Sequence, residues 1–439
     1  MKTKTRISIF WYRRDLRLDD NAGLYHALKS TYPVLPIFIF DQNILEKLND
    51  KKDRRVAFIH QALVEIQEKL AVLGSTVIVK YGKPATIWQE ILQEYDVAEV
   101  YTNHDYEKYA IERDREIGTL LNAKGIAFYT FKDQTIFEKN EVLSGAGTPY
   151  TVFTPYSRKW KETLNDFYLK SYPNELYNHN FFQHAIIEMP TLKEIGFESI
   201  IGEVFPKKDI REELIRKYDE LRDIPSILGT SHLSVHLRFG TVSIRKLVQK
   251  AIRLNEKWLN ELIWRDFYMN ILYHFPHISE GKSFRKEYDN IIWRNNDLEF
   301  QKWCEGKTGY PIVDAGMREL NKTGFMHNRV RMITASFLIK HLLIDWRWGE
   351  AYFAQKLLDF DFSANNGGWQ WASSSGCDAA PYFRIFNPTS QTQKFDPELK
   401  YIKKWIPELN SFDYPKPIVE HSFARERVLK VYKEALERK

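Results

Sequence analysis

Through the first third of the chain, short runs rich in β-branched and aromatic residues alternate with longer stretches of helical periodicity. The runs are residues 7–12, 34–40, 76–81, 97–102 and 126–130. A strand that returns parallel to its neighbour needs a crossover of a dozen or more residues, and a helix fills it best. The alternation therefore predicts a Rossmann-like α/β domain over residues 1–131, with a parallel five-stranded sheet under helices. No GxGxxG and no Walker loop follows any of the runs, which excludes a standard dinucleotide or nucleoside-triphosphate site. Arg13, Arg14, Asp15 and Arg17 come just after the first strand, where the carboxyl ends of such sheets open to ligands. Both salt bridging and ligand binding are open to them.

Residues 132–200 mix Pro, Gly, Asn and Tyr with little periodicity and read as a long interdomain linker on the surface, with Tyr172-Pro173-Asn174 as a turn signal. Beyond Glu203 strand patterns stop, so residues 201–439 are expected to form a mostly α domain. At 439 residues the chain is long enough for two such domains. Aromatic residues reach 15% and the net charge is +6, a balance that suits a protein meeting flat rings and phosphates. Cys304 and Cys377 are the only cysteines, which argues for free thiols in a reducing compartment and against a disulfide framework or zinc site. The basic start, MKTKTRISIFWYRRDLR, has too short an apolar run for a signal peptide. No stretch is long enough to span a membrane, and a cytoplasmic protein is expected.

The run DFDFSANNGGWQWASSSGCDAAPYFRIFNP, residues 359–388, packs acids, amides, glycines and tryptophans into what reads as one irregular segment rather than a core helix. Within it Asn365-Asn366-Gly367-Gly368 is a backbone that comes close to something, although a turn between two helices also explains it in isolation. Residues 258–273 read as a helix with Glu261, Trp264, Arg265 and Tyr268 on one stripe and Leu259, Ile263 and Phe267 on the other side. The polar stripe is either a binding face or a solvated one, with Glu261–Arg265 as an ion pair worth roughly 0.3–0.5 kcal/mol. A second helix over residues 327–343 gathers Asn328, Arg331 and Met332, with Arg329 on the flank and Ile333, Phe337 and Leu338 buried. Arg331 is a salt-bridge candidate for Asp359 or Asp361.

The 359–388 run closely resembles the flavin-binding heart of the DNA photolyase/cryptochrome family, in particular the class I photolyases that repair cyclobutane pyrimidine dimers. The resemblance extends through FWYRRDLRLDDN (10–21), GTPYTVFTPYSRKW (147–160), GTSHLS (229–234), NELIWRDFY (260–268) and GKTGYPIVDAGMRELNKTGFMHNRVRM (306–332), in the family's order. It implies an all-α C-terminal domain that binds FAD non-covalently, reduced in the active form, and meets DNA. Tyr218 and the run Thr230, Ser231, His232, Leu233, Ser234 match the positions that hold the diphosphate. Hydroxyls and N–H groups at a helix start suit phosphate, and TSHLS alone also reads as a helix cap. Some relatives carry Arg or Gly where this chain has His232. Arg265, Arg331, Asp359, Asp361 and Asn365 match the flavin-ring pocket, with Asn365 facing N5, where an amide can donate or accept.

By the same resemblance Glu261 lies over the flavin beside the lesion, while Trp264, Tyr268 and Trp371 form the substrate pocket, Trp264 stacking on the damaged bases. Asn328 and Met332 stand where (6-4) photolyases carry two histidines, which favours cyclobutane dimers; His327 is one residue off. Arg222, Arg329, Arg384, Gln391 and Lys394 match a DNA-facing surface, and Trp369, Trp346 and Trp293 match an electron relay. The implied function is light-driven repair, in which a flipped dimer is split by electron transfer from excited reduced FAD, with no metal, in a monomer. A cryptochrome photoreceptor is the main alternative. Such proteins often lose the acid and tryptophan that this chain keeps, and usually carry an extension where this chain ends at Lys439 after a helical tail. A flavin-independent nucleic-acid-binding module would leave NNGGWQW unexplained. An antenna chromophore, whether deazaflavin, flavin or folate, is expected in the N-terminal domain or its groove with the helical one. An empty site is equally open, since DYEKYAIERD (105–114) does not match the folate-binding acid convincingly.

Overall fold

The computed structural model describes residues 5–437. The first lysines of the basic start and the terminal Lys439 lie outside them. The chain divides into two compact units: Met1–Glu138, Leu164–Asp209 and His232–Arg253 form one, and Lys139–Thr163, Ile210–Ser231 and Leu254–Lys439 form the other.

The first unit is built on strands β1 (Arg6–Tyr12), β2 (Val34–Asp41), β3 (Ile78–Gly82), β4 (Asp96–Asn103) and β5 (Ala127–Phe131), all parallel, in the order β3-β2-β1-β4-β5. Every residue of β2 is buried, the pattern of a strand covered on both faces. Helices α1 (Ala22–Leu28), α2 (Arg54–Val72), α3 (Pro84–Glu94) and α4 (Lys108–Asn122) supply the crossovers. Trp11 of β1 and Trp88 of α3 meet edge to face at 5.5 Å in the core. The expected strands and the sheet are thus present.

The strand order reverses between β1 and β4, the place where open α/β sheets usually bind ligands. Here charged side chains from the chain itself meet at that point. Arg13 pairs with Asp114, and Arg14 with Asp105 at 3.1 Å and Glu107 at 3.0 Å. Deeper in, Asp133 accepts from Arg17 at 2.7 Å and Arg245 at 2.9 Å, and Arg245 also reaches Asp20 at 2.8 Å. Of the two roles open to Arg13, Arg14, Asp15 and Arg17, the structural one is what these pairs display for the arginines, and Asp15 accepts from Arg13 N at 2.8 Å and from Asn103 Nδ2 at 2.5 Å. Burial alone would raise the Asp133 carboxyl, but Arg17 and Arg245 overcome it and hold it down at about 2.

The second unit is helical: α5 (Phe153–Thr163), α6 (Glu256–His274), α7 (Asp297–Glu305), α8 (Pro311–Thr323), α9 (Asn328–Ser336), α10 (Trp346–Lys356), α11 (Phe362–Ser373), α12 (Pro388–Phe395) and α13 (His421–Glu437) are its longer elements. Of the segment read as a linker, Lys139–Thr163 packs in this unit, with Tyr156 and Trp160 fully buried on α5, and residues 132–138 and 164–200 pack in the first. Cys304 and Cys377 are free thiols. Among the described residues no helix is long and apolar enough to cross a membrane, and no group of three or more metal-ligating side chains forms.

Two expectations about helices need correction. Residues 327–343 are not one α-helix, because α9 stops at Ser336 and a π-turn, Phe337–His341, follows. Nor is the 359–388 run irregular throughout: Asn365, Asn366, Gly367 and Gly368 lie inside α11, whose first turn is capped by Asp361, accepting from Ser363 N at 3.1 Å. Each glycine costs a helix roughly 0.5–1 kcal/mol against alanine, and tertiary packing overrides that preference.

Asp133→Asn leaves buried Arg17 without the carboxylate it pairs with and Arg245 with Asp20 alone, and is expected to cost about 3–5 kcal/mol. A carboxyl held below its ordinary value of 3.8 stabilises the fold fully above that value, and the contribution is lost as pH falls toward about 2. Urea denaturation of the wild type should show stability falling between about pH 4 and pH 2, and falling less steeply in Asp133→Asn.

Candidate active site

A cavity of about 400 Å³ opens in the helical unit, within the roughly 300–1,000 Å³ usual for small-molecule sites. It is lined from four helices, the loop between α10 and α11, and Arg222. Glu261, Trp264 and Tyr268 come from α6, and Asn328, Arg331, Met332 and Ala335 from α9. Phe353 lies on α10, Leu357, Asp359 and Asp361 on the loop, and Asn365, Gly368, Trp369 and Trp371 on α11.

Helix α6 begins at Asn255, whose side chain accepts from Lys257 N at 2.9 Å and Trp258 N at 3.1 Å. Its Ile263 and Phe267 are fully buried and Leu259 nearly so, which turns the Glu261, Trp264, Tyr268 stripe to the cavity. The stripe is therefore a lining rather than a solvated face. Glu261 pairs with Arg222, itself on the cavity wall. Burial raises the Glu261 carboxyl above its usual range, and Arg222 only partly offsets this. Arg265 is half-buried on the same helix and is not among the lining residues.

On α9, His327 serves as the N-cap, its Nδ1 accepting from Arg329 N at 3.2 Å; it is buried and does not line the cavity. Arg331 donates to Met326 O at 2.7 Å and to Asp359 at 2.9 and 3.2 Å, so of its two candidate partners Asp359 is the one it meets. Asp361 caps α11 through Oδ1 and also lines the cavity.

The glycines of α11 have separate reasons. A Cβ on Gly367 would lie 2.2 Å from the Tyr268 ring, so a side chain there would push α6 and α11 apart. A Cβ on Gly368 would meet nothing within 4 Å, and Gly368 lines the cavity, so any larger residue would project into the open space. Asn365 Nδ2 donates to Glu350 O at 3.1 Å, which fixes the amide and leaves its oxygen able to accept. Apolar walls from Ala335, Phe353 and Leu357, a bare glycine and a few fixed polar groups fit a planar heteroaromatic ring with a polar edge, as a flavin has.

Other expected residues, the cavity-lining Trp369 aside, lie off this cavity. Tyr218 is half-buried, with the Arg222 guanidinium 5.2 Å from its ring. The division between the two units falls inside the TSHLS run, after Ser231, and His232 takes a left-handed φ of 53°. The short helix that follows, Ser234–Phe239, has Leu233 at its cap position and no side-chain cap, so TSHLS is not a side-chain capping sequence. Arg329 pairs with Asp223 at 2.8 Å and lies 4.5 Å from the Phe395 ring, which Lys394 also approaches at 5.2 Å. Gln391 and Lys394 are on α12, and Arg384 is exposed. Trp369 and Trp346 are buried and Trp293 half-buried around one core. The rings that Trp369 meets include Trp303 at 6.1 Å and Phe353 at 5.0 Å. Sequence reasoning missed Phe353, Leu357, Ala335 and Ala364 as lining residues, since nothing separates them from core residues until the helices are docked.

Residues 258–413 match the FAD binding domain of DNA photolyase, and residues 8–175 match DNA photolyase. The chain is 37% identical to the deoxyribodipyrimidine photo-lyase of Synechococcus sp., over 97% of this chain and 96% of that one. A bacterial class III photolyase from Agrobacterium tumefaciens is 31% identical with a TM-score of 0.86, over 99% of this chain and 98% of that one. An archaeal photolyase from Sulfolobus tokodaii, solved with two FAD molecules, is 34% identical with a TM-score of 0.80, over 97% and 99% of the two chains. With the site's geometry, this near full-length similarity settles the family: the chain belongs to the DNA photolyases.

Proposed function

We propose that this protein is a light-dependent lyase that binds FAD and repairs cyclobutane pyrimidine dimers in DNA. The observation that carries this is one cavity wall bearing both the acid Glu261 and the ring of Trp264, facing the α11 stretch that fits a flavin ring. When bound, reduced FAD supplies the light-driven electron; the chain's own residues supply binding, orientation and charge stabilisation. Asn365, Asp359, Asp361 and Arg331 hold the ring's polar edge, with Arg331 kept in place by Asp359. Trp264 and Trp371 stack on a flipped dimer, and stacking at roughly 1–3 kcal/mol per base offsets the few kcal/mol of flipping. Glu261, kept neutral to higher pH than an ordinary carboxyl, donates to a dimer carbonyl where negative charge develops. Arg222, Arg329, Arg384, Gln391 and Lys394 contact phosphates on either side. A cryptochrome-type receptor would have no use for Glu261 and Trp264 placed together. The protein acts as a monomer in the cytoplasm, in keeping with its two unpaired cysteines. A second, light-harvesting chromophore is part of the proposal, supported by the two FAD molecules of the Sulfolobus relative.

Flavin released by heating the pure protein tests the cofactor. Gly368→Leu keeps a good helix former in α11 but fills the open wall, and is expected to lower bound flavin several-fold by absorbance with helicity unchanged. Full loading of that variant would place the flavin elsewhere.

Glu261 and Trp264 should fail differently. Glu261→Ala is expected to keep affinity for dimer-containing DNA and lose repair per absorbed photon, whereas Trp264→Ala weakens lesion binding by roughly tenfold or more. At saturating protein, repair yield should fall as pH rises through the raised Glu261 titration. The fall should move to higher pH in Arg222→Gln, because Arg222 favours the charged carboxylate, and vanish in Glu261→Gln. A wild-type protein with fully reduced flavin that binds damaged and undamaged DNA equally and repairs nothing would falsify the lyase reading in favour of the receptor.

For the relay, Trp346→Phe and Trp293→Phe are each expected to fold and bind flavin yet slow its photoreduction from the oxidised state. Unchanged photoreduction in both variants would reject that route.

A further inference from the structure

The motif GTPYTVFTPYSRKW places Phe153 at the first position of α5, and its ring lies flat against Trp264, with centroids 3.7 Å apart and planes 3° from parallel. An aromatic pair left to itself prefers an offset or edge-on arrangement, so this stack is imposed by what surrounds it. Two constraints are visible. The Phe153 N–H donates to Asp378 Oδ2 at 3.0 Å, which ties the start of α5 to the loop after α11. Phe267, fully buried, meets Phe153 edge-on at 5.9 Å and Trp264 edge-on at 5.5 Å, closing the corner between them. Tyr268 flanks Trp264 at 5.4 Å, tilted by 32°. One face of the indole is thus covered, while Trp264 still lines the cavity.

We propose that Phe153 is a positioning residue for lesion recognition: it backs Trp264, holding the indole in one orientation so that its open face is ready to stack on the flipped pyrimidine pair. The proposal rests on the reading of Trp264 as the stacking residue and goes beyond it. A side chain already fixed loses less freedom when it binds, so pre-ordering Trp264 improves affinity without any contact between Phe153 and DNA. The backing ring covers one face of the indole with its flat face and leaves the other for stacking. In the bound state the dimer becomes the third layer of a Phe153–Trp264–pyrimidine stack.

Phe153→Leu removes the ring while nearly keeping apolar volume, and Phe153→Tyr restores the ring. Phe153→Leu is expected to bind dimer-containing oligonucleotide about tenfold more weakly, with affinity for undamaged DNA, bound flavin and repair yield per photon at saturation unchanged. Phe153→Tyr is expected to recover the wild-type affinity. In protein labelled with 5-fluorotryptophan, the resonance assigned by its loss in Trp264→Phe should be a single sharp line in the wild type and broaden or split in Phe153→Leu. Unchanged lesion affinity in Phe153→Leu, an equal loss for damaged and undamaged DNA, or an unaltered Trp264 resonance would each overturn the proposal. If Phe153→Leu does not fold, Phe153→Met provides the same comparison. Trp264→Ala is the separate control: if it leaves lesion affinity intact, the stacking reading of Trp264 itself has failed, whereas loss in Trp264→Ala with none in Phe153→Leu rejects only the role of Phe153.

Discussion

The ring of Tyr268 occupies the space that a side chain on Gly367 would need, and this contact between α6 and α11 sets the spacing of the cavity. Because the helices touch there, the residues one and two turns away along α6, Trp264 and Glu261, face the cavity that Gly368 and Asn365 line from α11. Two consecutive glycines weaken a helix by roughly 1–2 kcal/mol in total. They are tolerated because the large core around them holds α11 in place, with Trp369 and Ala372 of the same helix buried in it.

Charge in the cavity is arranged in pairs that leave some groups committed and others adjustable. Arg331 is pinned between Asp359 and the Met326 carbonyl, and is a fixed cation. Glu261 pairs with Arg222, and burial pulls against that pairing and holds its carboxyl above the usual range. A carboxyl poised in this way can donate a hydrogen bond to a carbonyl that a permanently ionised one would repel. In the α/β unit the opposite holds. Asp133 lies between two buried guanidinium groups and remains ionised, which suits a structural charge rather than a reactive one.

The same residue types therefore do different work according to the solvent left around them. Arg13, Arg14 and Arg17 follow β1 at the usual ligand-binding end of a parallel sheet, and carboxylates of the first unit neutralise them there. Arg222 and Arg331 also meet carboxylates, yet a cavity large enough for a ring system remains beside them. Ion pairing by itself does not separate a structural cluster from a binding site; the space next to it does.

The five strands, their parallel pairing and the helical second half were legible in the sequence, because period and run length report which faces are buried. The stripe of Glu261, Trp264 and Tyr268 was legible for the same reason, since helical spacing alone puts them on one face. What sequence could not settle were choices between partners. Arg331 had two aspartates within reach and meets Asp359, while Asp361 caps α11. NNGG carries the local preference of a turn yet is helical, because packing against α6 outweighs intrinsic propensity. Phe153 lies more than a hundred residues from Trp264, and no periodicity links them; their stack exists only once α5 is tied down beside α6. Local periodicity is written in neighbouring residues, whereas partner choice depends on distances that only the docked helices define.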